Sequence, residues 1–368
     1  MKRLAIFLDG TWNDPADDTN VSRLHDLVAP QDRSGIRQVC HYDPGVGTEP
    51  FTRLLGGAFG EGLSRNVRDA YRFLVNNYDA GDEVYVFGFS RGAYTARSLG
   101  GLIDFCGLLQ KEAPLSIEEV YDRYRKRLDH EASIDHDAEL QRVSRKIPIR
   151  LMGVWDTVGD LGIPWTVPLI GQQAFCFHNP NLSSIYEHAF QALAVDENRA
   201  AYTPTLWTAP APGATARLER VEQRWFIGAH ADVGGGYKDD PLSFIPLGWM
   251  QGKAAALGLA FKASVTVPVD AWKTRPADSY TKFLGGLYRV FKLGRRFWRP
   301  IGCDRRKVQG AWSYPVNETI DASVFRRFQS GDYRPQNLLD WAERTGVDLA
   351  RMSGTPSDES ISGSGVAA

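Results

Sequence analysis

The sequence predicts an α/β fold, a mostly parallel sheet with helices on both faces and cap or lid insertions, and three observations carry that reading. Short apolar, β-branched and aromatic runs at Leu4–Leu8, Ile36–Tyr42, Glu83–Phe87, Ile147–Val154 and Gln223–Ile227 have the composition of buried strands. Between the first three lie helical spacings, and the turns joining them are short. Strand, helix, strand, helix, strand in that order is the pattern of a parallel sheet covered on both sides.

The 368 residues can bury a large core, as one elaborated domain or as a domain with a lid. We expect a core over residues 1–260 with insertions at about 111–146 and 161–222, a helical or cap region over 261–352, and a disordered Ser/Gly-rich tail over 353–368. With 43 basic and 44 acidic residues the formal charge is −1, so bulk electrostatics predict no nucleic-acid partner. No run of about 18 apolar residues offers a transmembrane helix. Met1-Lys2-Arg3 followed by Leu4–Leu8 imitates a signal peptide, but the apolar stretch is short and Asp9 ends it without a cleavage site. A chain that stays in the cytoplasm as synthesised, or leaves by a non-classical route, is the expectation. Cys40, Cys106, Cys176 and Cys303 are widely spaced and read as reduced thiols.

Taken in order, Leu4–Leu8 is the first strand and runs into Asp9-Gly10-Thr11-Trp12-Asn13-Asp14, a loop at the strand end where open α/β sheets place ligands. Asn20 is placed to cap a helix carrying Val21, Leu24, Leu27 and Val28. Ile36–Tyr42 is the next strand. Gly56–Gly62 is glycine-rich but lacks the Lys-Ser/Thr of a phosphate loop, and reads as a flexible connection. Val67, Ala70, Tyr71, Leu74 and Val75 give an amphipathic helix.

The next stretch organises the rest. After the strand Glu83–Phe87 comes Gly88-x-Ser90-x-Gly92, then a helix-compatible segment, Ala93–Ile103. A serine between strand and helix, flanked by glycines because a Cβ would clash, is a nucleophile elbow that lifts the hydroxyl above the sheet edge. Pro114–Arg145 is a charged, solvated helical excursion. Ile147–Val154 resumes the sheet and ends in Trp155-Asp156, placing an acid to orient a histidine, with Asp160, Asp196 and Asp232 as rivals. Residues 161–182 read as an irregular cap, and Tyr186–Val195 as a helix. Gln223–Ile227 ends at a glycine-rich loop holding His230, downstream of both serine and acid. Ser, Asp, His is the chain order that α/β-hydrolases use.

Leu8-Asp9-Gly10-Thr11-Trp12-Asn13, Tyr42-Asp43-Pro44-Gly45-Val46-Gly47, Gly88-Phe89-Ser90-Arg91-Gly92-Ala93-Tyr94, Gly153-Val154-Trp155-Asp156-Thr157-Val158-Gly159, Ala192–Arg199 and His230-Ala231-Asp232-Val233-Gly234-Gly235-Gly236-Tyr237 together carry a resemblance. The chain resembles, over about residues 4–250, the bacterial and fungal α/β-hydrolase family that includes the type VI secretion phospholipase effectors. The resemblance implies an α/β-hydrolase fold and, as in the lipase effectors, release of fatty acid from glycerophospholipids. Ser90 then matches the nucleophile, Asp156 the triad acid and His230 the base. One departure is Asp321-Ala322-Ser323-Val324, where a histidine before the Ser-Val pair is expected.

The expected chemistry is ester hydrolysis through Ser90, His230 and Asp156, with the amides of Arg91 and of Gly10 or Thr11 facing the oxyanion. It needs no cofactor. Asp14, Asp17 and Asp18 could hold a cation but lack an EF-hand pattern, so no metal is assigned. Lys282–Arg299 on a helix would set Phe283, Leu284, Leu287, Val290, Phe291, Phe297 and Trp298 opposite Lys282, Arg289, Lys292, Arg295, Arg296 and Arg299, a candidate for contact with an anionic membrane. Partners expected are a lipid or ester substrate, a membrane surface, and an immunity or secretion protein. The competing readings are a soluble carboxylesterase of small substrates and a non-catalytic binding module.

Overall fold

Every residue of β1 (Arg3–Leu8) is buried, as for a strand covered on both faces. The computed structural model describes residues 1–10, 18–45, 56–126, 137–158, 182–209, 220–282, 294–303, 306–308 and 311–352. After β1 come α1 (Asn20–Leu27), β2 (Gln38–Asp43), α2 (Gly56–Asn77), β3 (Glu83–Phe89) and α3 (Arg91–Cys106). A small antiparallel ribbon, β4 (Leu108–Leu109) with β5 (Ser144–Arg145), brackets α4 (Ile117–Lys126) and α5 (Ala138–Val143). The sheet resumes with β6 (Leu151–Trp155) and β7 (Ala189–Ala194); β8 (Thr208–Ala209) and β9 (Val221–Phe226) follow. Three helices come next, α6 (His230–Gly234), α7 (Phe244–Ala256) and α8 (Ser279–Lys282). The C-terminal part adds β10 (Arg306–Val308), β11 (Ala311–Pro315), β12 (Glu318–Ile320), α9 (Ala322–Gln329) and α10 (Gln336–Thr345).

Seven of these strands form one parallel sheet in the order β12-β9-β7-β6-β3-β1-β2. From β1 the chain winds to β2 on one side, then crosses back to β3 on the other. The winding reverses between β1 and β3, and the crevice beyond the carboxyl ends of those strands is where such sheets hold ligands. Ser90 directly follows β3, and Asp9-Gly10 directly follow β1. The seventh strand, β12, pairs with β9 from far along the chain.

Strand alternation sorts the core onto the two faces. Leu4, Ile6, Leu8, Val84 and Val86 pack with Val67, Tyr71 and Leu74 of α2 and with Ala96 and Leu99 of α3. Ala5, Phe7, Tyr85 and Phe87 pack with Val21 and Leu24 of α1 and with Leu247 and Met250 of α7. Beyond β7 and β9, Leu193 and Trp225 meet Val324 and Phe325 of α9 and Leu338 and Trp341 of α10. This is an α/β-hydrolase-like architecture.

Several sequence expectations need correcting. Tyr186–Val195 does not form a helix: Ala189–Ala194 is β7, buried throughout between β6 and β9. An alanine-rich run buried on both faces has no polar side to reveal its period, so composition alone favoured helix. Gly56–Gly62 is not a loose connection but the start of α2; helix propensity is a weak prior once a buried stripe continues through Leu63 and Val67. The cap of α1 is Thr19, whose Oγ1 accepts from the Ser22 amide at 3.1 Å. Asn20 is instead buried, its Nδ2 donating to the carbonyls of Val233 and Ser243. The histidine-less Asp321 caps α9, accepting from the Ser323 amide. Among the described residues no helix is long and apolar enough to cross a membrane.

Candidate active site

The turn between β3 and α3 holds Ser90 at φ 57° and ψ −117°, a backbone region sparsely allowed for a residue with a Cβ. The surroundings enforce it. The Ser90 amide donates to the Trp155 carbonyl at 3.0 Å. A Cβ on Gly88 would stand 2.5 Å from the Gly92 carbonyl oxygen, so the strand and helix can approach this closely only over glycine.

His230 opens α6 and reaches back across the sheet edge. Its Nε2 lies 2.8 Å from Ser90 Oγ and its Nδ1 lies 2.5 Å from Asp156 Oδ2. Asp156 follows β6 directly and also has a left-handed backbone, at φ 41°. Its carboxylate further accepts from the Ala194 amide at 3.1 Å. An ionised Asp156 keeps a proton on Nδ1 and leaves Nε2 to accept from the serine hydroxyl. The imidazole is bracketed by Phe89, at 4.7 Å between ring centroids, and by Tyr202, edge-on at 5.0 Å.

Two buried groups that the sequence reading did not place hold this arrangement. Arg299 is completely buried. Its Nη1 donates to Asp156 Oδ1 at 2.6 Å and its Nη2 to Asp156 Oδ2 at 2.9 Å. The same guanidinium donates to the carbonyls of Ala194 and Tyr202. The expected helix over 282–299 needs correction at its end: Lys282 is helical, residues 283–293 lie outside the described residues, and 294–299 are not helical. Arg299 therefore does not belong to a solvated basic face.

The second group is Glu197, also fully buried. It takes two side-chain hydrogen bonds from Arg199 at 2.8 and 2.7 Å, one from Ser279 Oγ at 3.0 Å, and accepts from the His230 amide at 3.3 Å. Arg199 in turn lies over the Tyr202 ring at 3.5 Å. The motif Asp196-Glu197-Asn198-Arg199 stood out in the sequence, but nothing in its spacing tells that it secures a histidine backbone.

Burial alone would raise the Asp156 carboxyl, but the adjacent Arg299, with help from His230, outweighs it and holds the group well below the ordinary carboxylate range. His230 is pushed down by burial, against the pull of Asp156 and Glu197. The rival acids are used elsewhere. Asp196 accepts from the Gly228 amide and Tyr333 hydroxyl, and Asp232 from the Ala229 and Ala277 amides. Asp160 lies outside the described residues.

Of the amides expected to face an oxyanion, that of Arg91 sits in the first turn of α3, at the positive end of the helix dipole. The Gly10 amide donates to Asp9 Oδ1 at 2.7 Å, and Asp9 is itself held by the hydroxyls of Thr19 and Tyr42. Thr11, like Asp14 and Asp17, lies outside the described residues. Among the described residues no group of three or more His, Cys, Asp or Glu side chains could hold a metal ion.

Comparison with known proteins gives three kinds of match. The family model described as "T6SS, Phospholipase effector Tle1-like, catalytic domain" matches residues 2–253. The chain is similar to the uncharacterized protein YEL023C of Saccharomyces cerevisiae, 28% identical over 233 residues, covering 56% of this chain and 33% of that protein. Among solved structures it is similar to an uncharacterized protein from Pseudomonas aeruginosa, with 20% identity and a TM-score of 0.45 over 73% of this chain and 48% of that one. It is similar to the Tle1 effector bound to the VgrG spike from the Type 6 secretion system, with 18% identity and a TM-score of 0.36 over 66% and 52% of the two chains. A third likeness is to the esterase Est2 of Thermogutta terrifontis, with 14% identity and a TM-score of 0.35 over 72% and 86%. The chain thus spans a third of the yeast protein and about half of the first two solved structures.

Proposed function

This chain belongs to the family of type VI secretion, Tle1-like phospholipase effector catalytic domains, and from that premise we propose that it is a serine hydrolase cleaving the acyl esters of glycerophospholipids. The observation that carries the proposal is the unbroken line from Ser90 Oγ through His230 to Asp156, at 2.8 and 2.5 Å, built on a strained serine at the sheet's switch point.

In this reading His230 Nε2 takes the Ser90 proton as Oγ attacks the ester carbonyl carbon. Asp156 holds the ring orientation and stabilises the imidazolium. The carbonyl oxygen becomes an oxyanion beside the Arg91 amide, where each well-placed donor contributes about 3 kcal/mol. His230 then protonates the departing alcohol oxygen, leaving an acyl-serine. Water, deprotonated by the same imidazole, attacks the acyl carbon, releasing fatty acid and restoring Ser90. A resting Gly10 amide bound to Asp9 would have to turn to join the oxyanion site, or leave that role to a neighbour in the loop.

The family's description supports export through a type VI secretion apparatus as the route by which such an enzyme meets a membrane. Labelling with a fluorophosphonate probe, followed by mass spectrometry of products from a phospholipid mixture, tests the proposal. Wild type should be labelled and Ser90→Ala not, with free fatty acid and lysophospholipid as products. Equal labelling of both would sink the Ser90 assignment. Turnover of short p-nitrophenyl esters with no release from phospholipid would point instead to a soluble carboxylesterase.

A further inference from the structure

Five ionisable side chains share one buried cluster. Asp156, Glu197 and Arg299 are fully buried, and Arg199 and His230 are 6% exposed. Two carboxylates face two guanidiniums, so the cluster is electrically balanced when the imidazole is neutral. The groups facing His230 are Asp156 on its Nδ1, Ser90 on its Nε2, Glu197 at its amide, and the Phe89 and Tyr202 rings, with Arg199 behind Tyr202. Glu197 is matched by Arg199. That leaves Arg299 as the counter-charge of Asp156, gripping both of its oxygens.

The Arg299 guanidinium is itself fixed by two main-chain carbonyls. One belongs to Ala194, at the end of β7, and the other to Tyr202, whose ring touches His230. A planar fork tied to rigid backbone at one side and to a carboxylate at the other sets the plane of that carboxylate. Arg299 comes from beyond residues 2–253, the span matched by the family's catalytic domain.

We propose that Arg299 is a positioning residue of this site: its two-point grip turns Asp156 towards His230 and offsets the carboxylate charge, so that the imidazole rests neutral and able to take the Ser90 proton. This inference rests on the proposed hydrolase reading. It makes two separable statements, one about geometry and one about charge. Removing the cation leaves the cluster with one net negative charge beside the imidazole, which favours the imidazolium. The acidic limb of activity must then move to higher pH. A strut serving only the fold would lower stability and leave the limb where it is.

The test uses the full chain as wild type, Arg299→Gln and Arg299→Lys, each checked for folding by circular dichroism. The His230 ring is titrated by NMR after selective ¹⁵N labelling of histidine, alongside kcat and KM on a short p-nitrophenyl ester. In Arg299→Gln the His230 titration and the acidic limb should both rise by about one pH unit or more. Its kcat should fall at least about tenfold, yet less than the roughly 10⁴-fold expected for Asp156→Asn. Arg299→Lys should keep the limb, because the charge remains, but lose kcat, because one ammonium cannot hold both oxygens. An Arg299→Gln protein that folds and titrates like wild type overturns the inference. Should Arg299→Gln fail to fold, Arg299→Lys decides: wild-type kcat in that variant overturns the positioning role. Failure of the hydrolase reading looks different, as absent fluorophosphonate labelling of wild type, and the NMR titration still reports on Arg299.

Discussion

A Cβ placed on Gly92 would stand 2.0 Å from the carbonyl oxygen of Leu8. The first turn of α3 therefore rests directly on the end of β1, and this contact sets the height of Ser90 over the sheet. Gly92→Ala must push α3 off β1 or fail to pack, costing about 1–3 kcal/mol or more. Urea denaturation should show the lost stability. Fluorophosphonate labelling of the folded fraction should slow as well, because Ser90 moves with the helix.

The direction of the His230 shift fixes one limb of the pH profile. As the proposed base, His230 must be neutral to accept the Ser90 proton, and burial, opposed by Asp156 and Glu197, holds the imidazole below its ordinary value of 6.5. Activity should therefore persist as pH falls through 6.5 and decline only below it. A kcat/KM profile on a soluble ester checks this, and a midpoint above 6.5 would contradict it.

Glu197→Gln leaves Arg199 buried beside an amide in place of a carboxylate. Breaking a buried pair from one side costs about 3–5 kcal/mol. We expect thermal unfolding to show a large loss. In whatever fraction folds, kcat should drop because the His230 amide has lost its charged acceptor.

Asp232 supplies a stability prediction of opposite sign. Burial, with Asp240 nearby, pushes its carboxyl up to about 7. A carboxyl whose native value lies above its unfolded one binds more protons in the folded state, so it costs stability progressively as pH rises from about 4 towards 7. One oxygen accepts from both the Ala229 and Ala277 amides, and an asparagine carbonyl can do the same. Asp232→Asn should match wild type near pH 4 and exceed it above pH 7, measured as the difference in unfolding midpoint.

Much of this candidate site could be read in advance because the three residues of the proposed triad sit at strand ends. A serine between glycines, an acid closing a strand and a histidine after the next glycine-rich turn each declare themselves locally, and a parallel sheet brings such ends to one edge. Strand β7 was harder: Ala189–Ala194 is buried on both faces, its polar Gln191 included, so no solvent-facing side marked its two-residue period. Arg299 was beyond local reading. It meets Asp156 across 143 residues, and periodicity counted it among surface cations because sequence spacing carries no information about a salt bridge between a coil and a strand end. Thr19 outcompeted Asn20 as a cap for a similar reason, since Asn20 has buried carbonyl partners near residues 233 and 243.

The position of Arg299 along the chain bears on when the site can become active. Ser90, Asp156 and His230 have all left the ribosome before Arg299 is translated, and β12, the seventh strand of the sheet, follows later still. A growing or prematurely terminated polypeptide short of residue 299 carries Ser90, Asp156 and His230 without the clamp on Asp156. Under the proposed hydrolase reading, translation order then works as a delay: competence waits until the ribosome has passed residue 299.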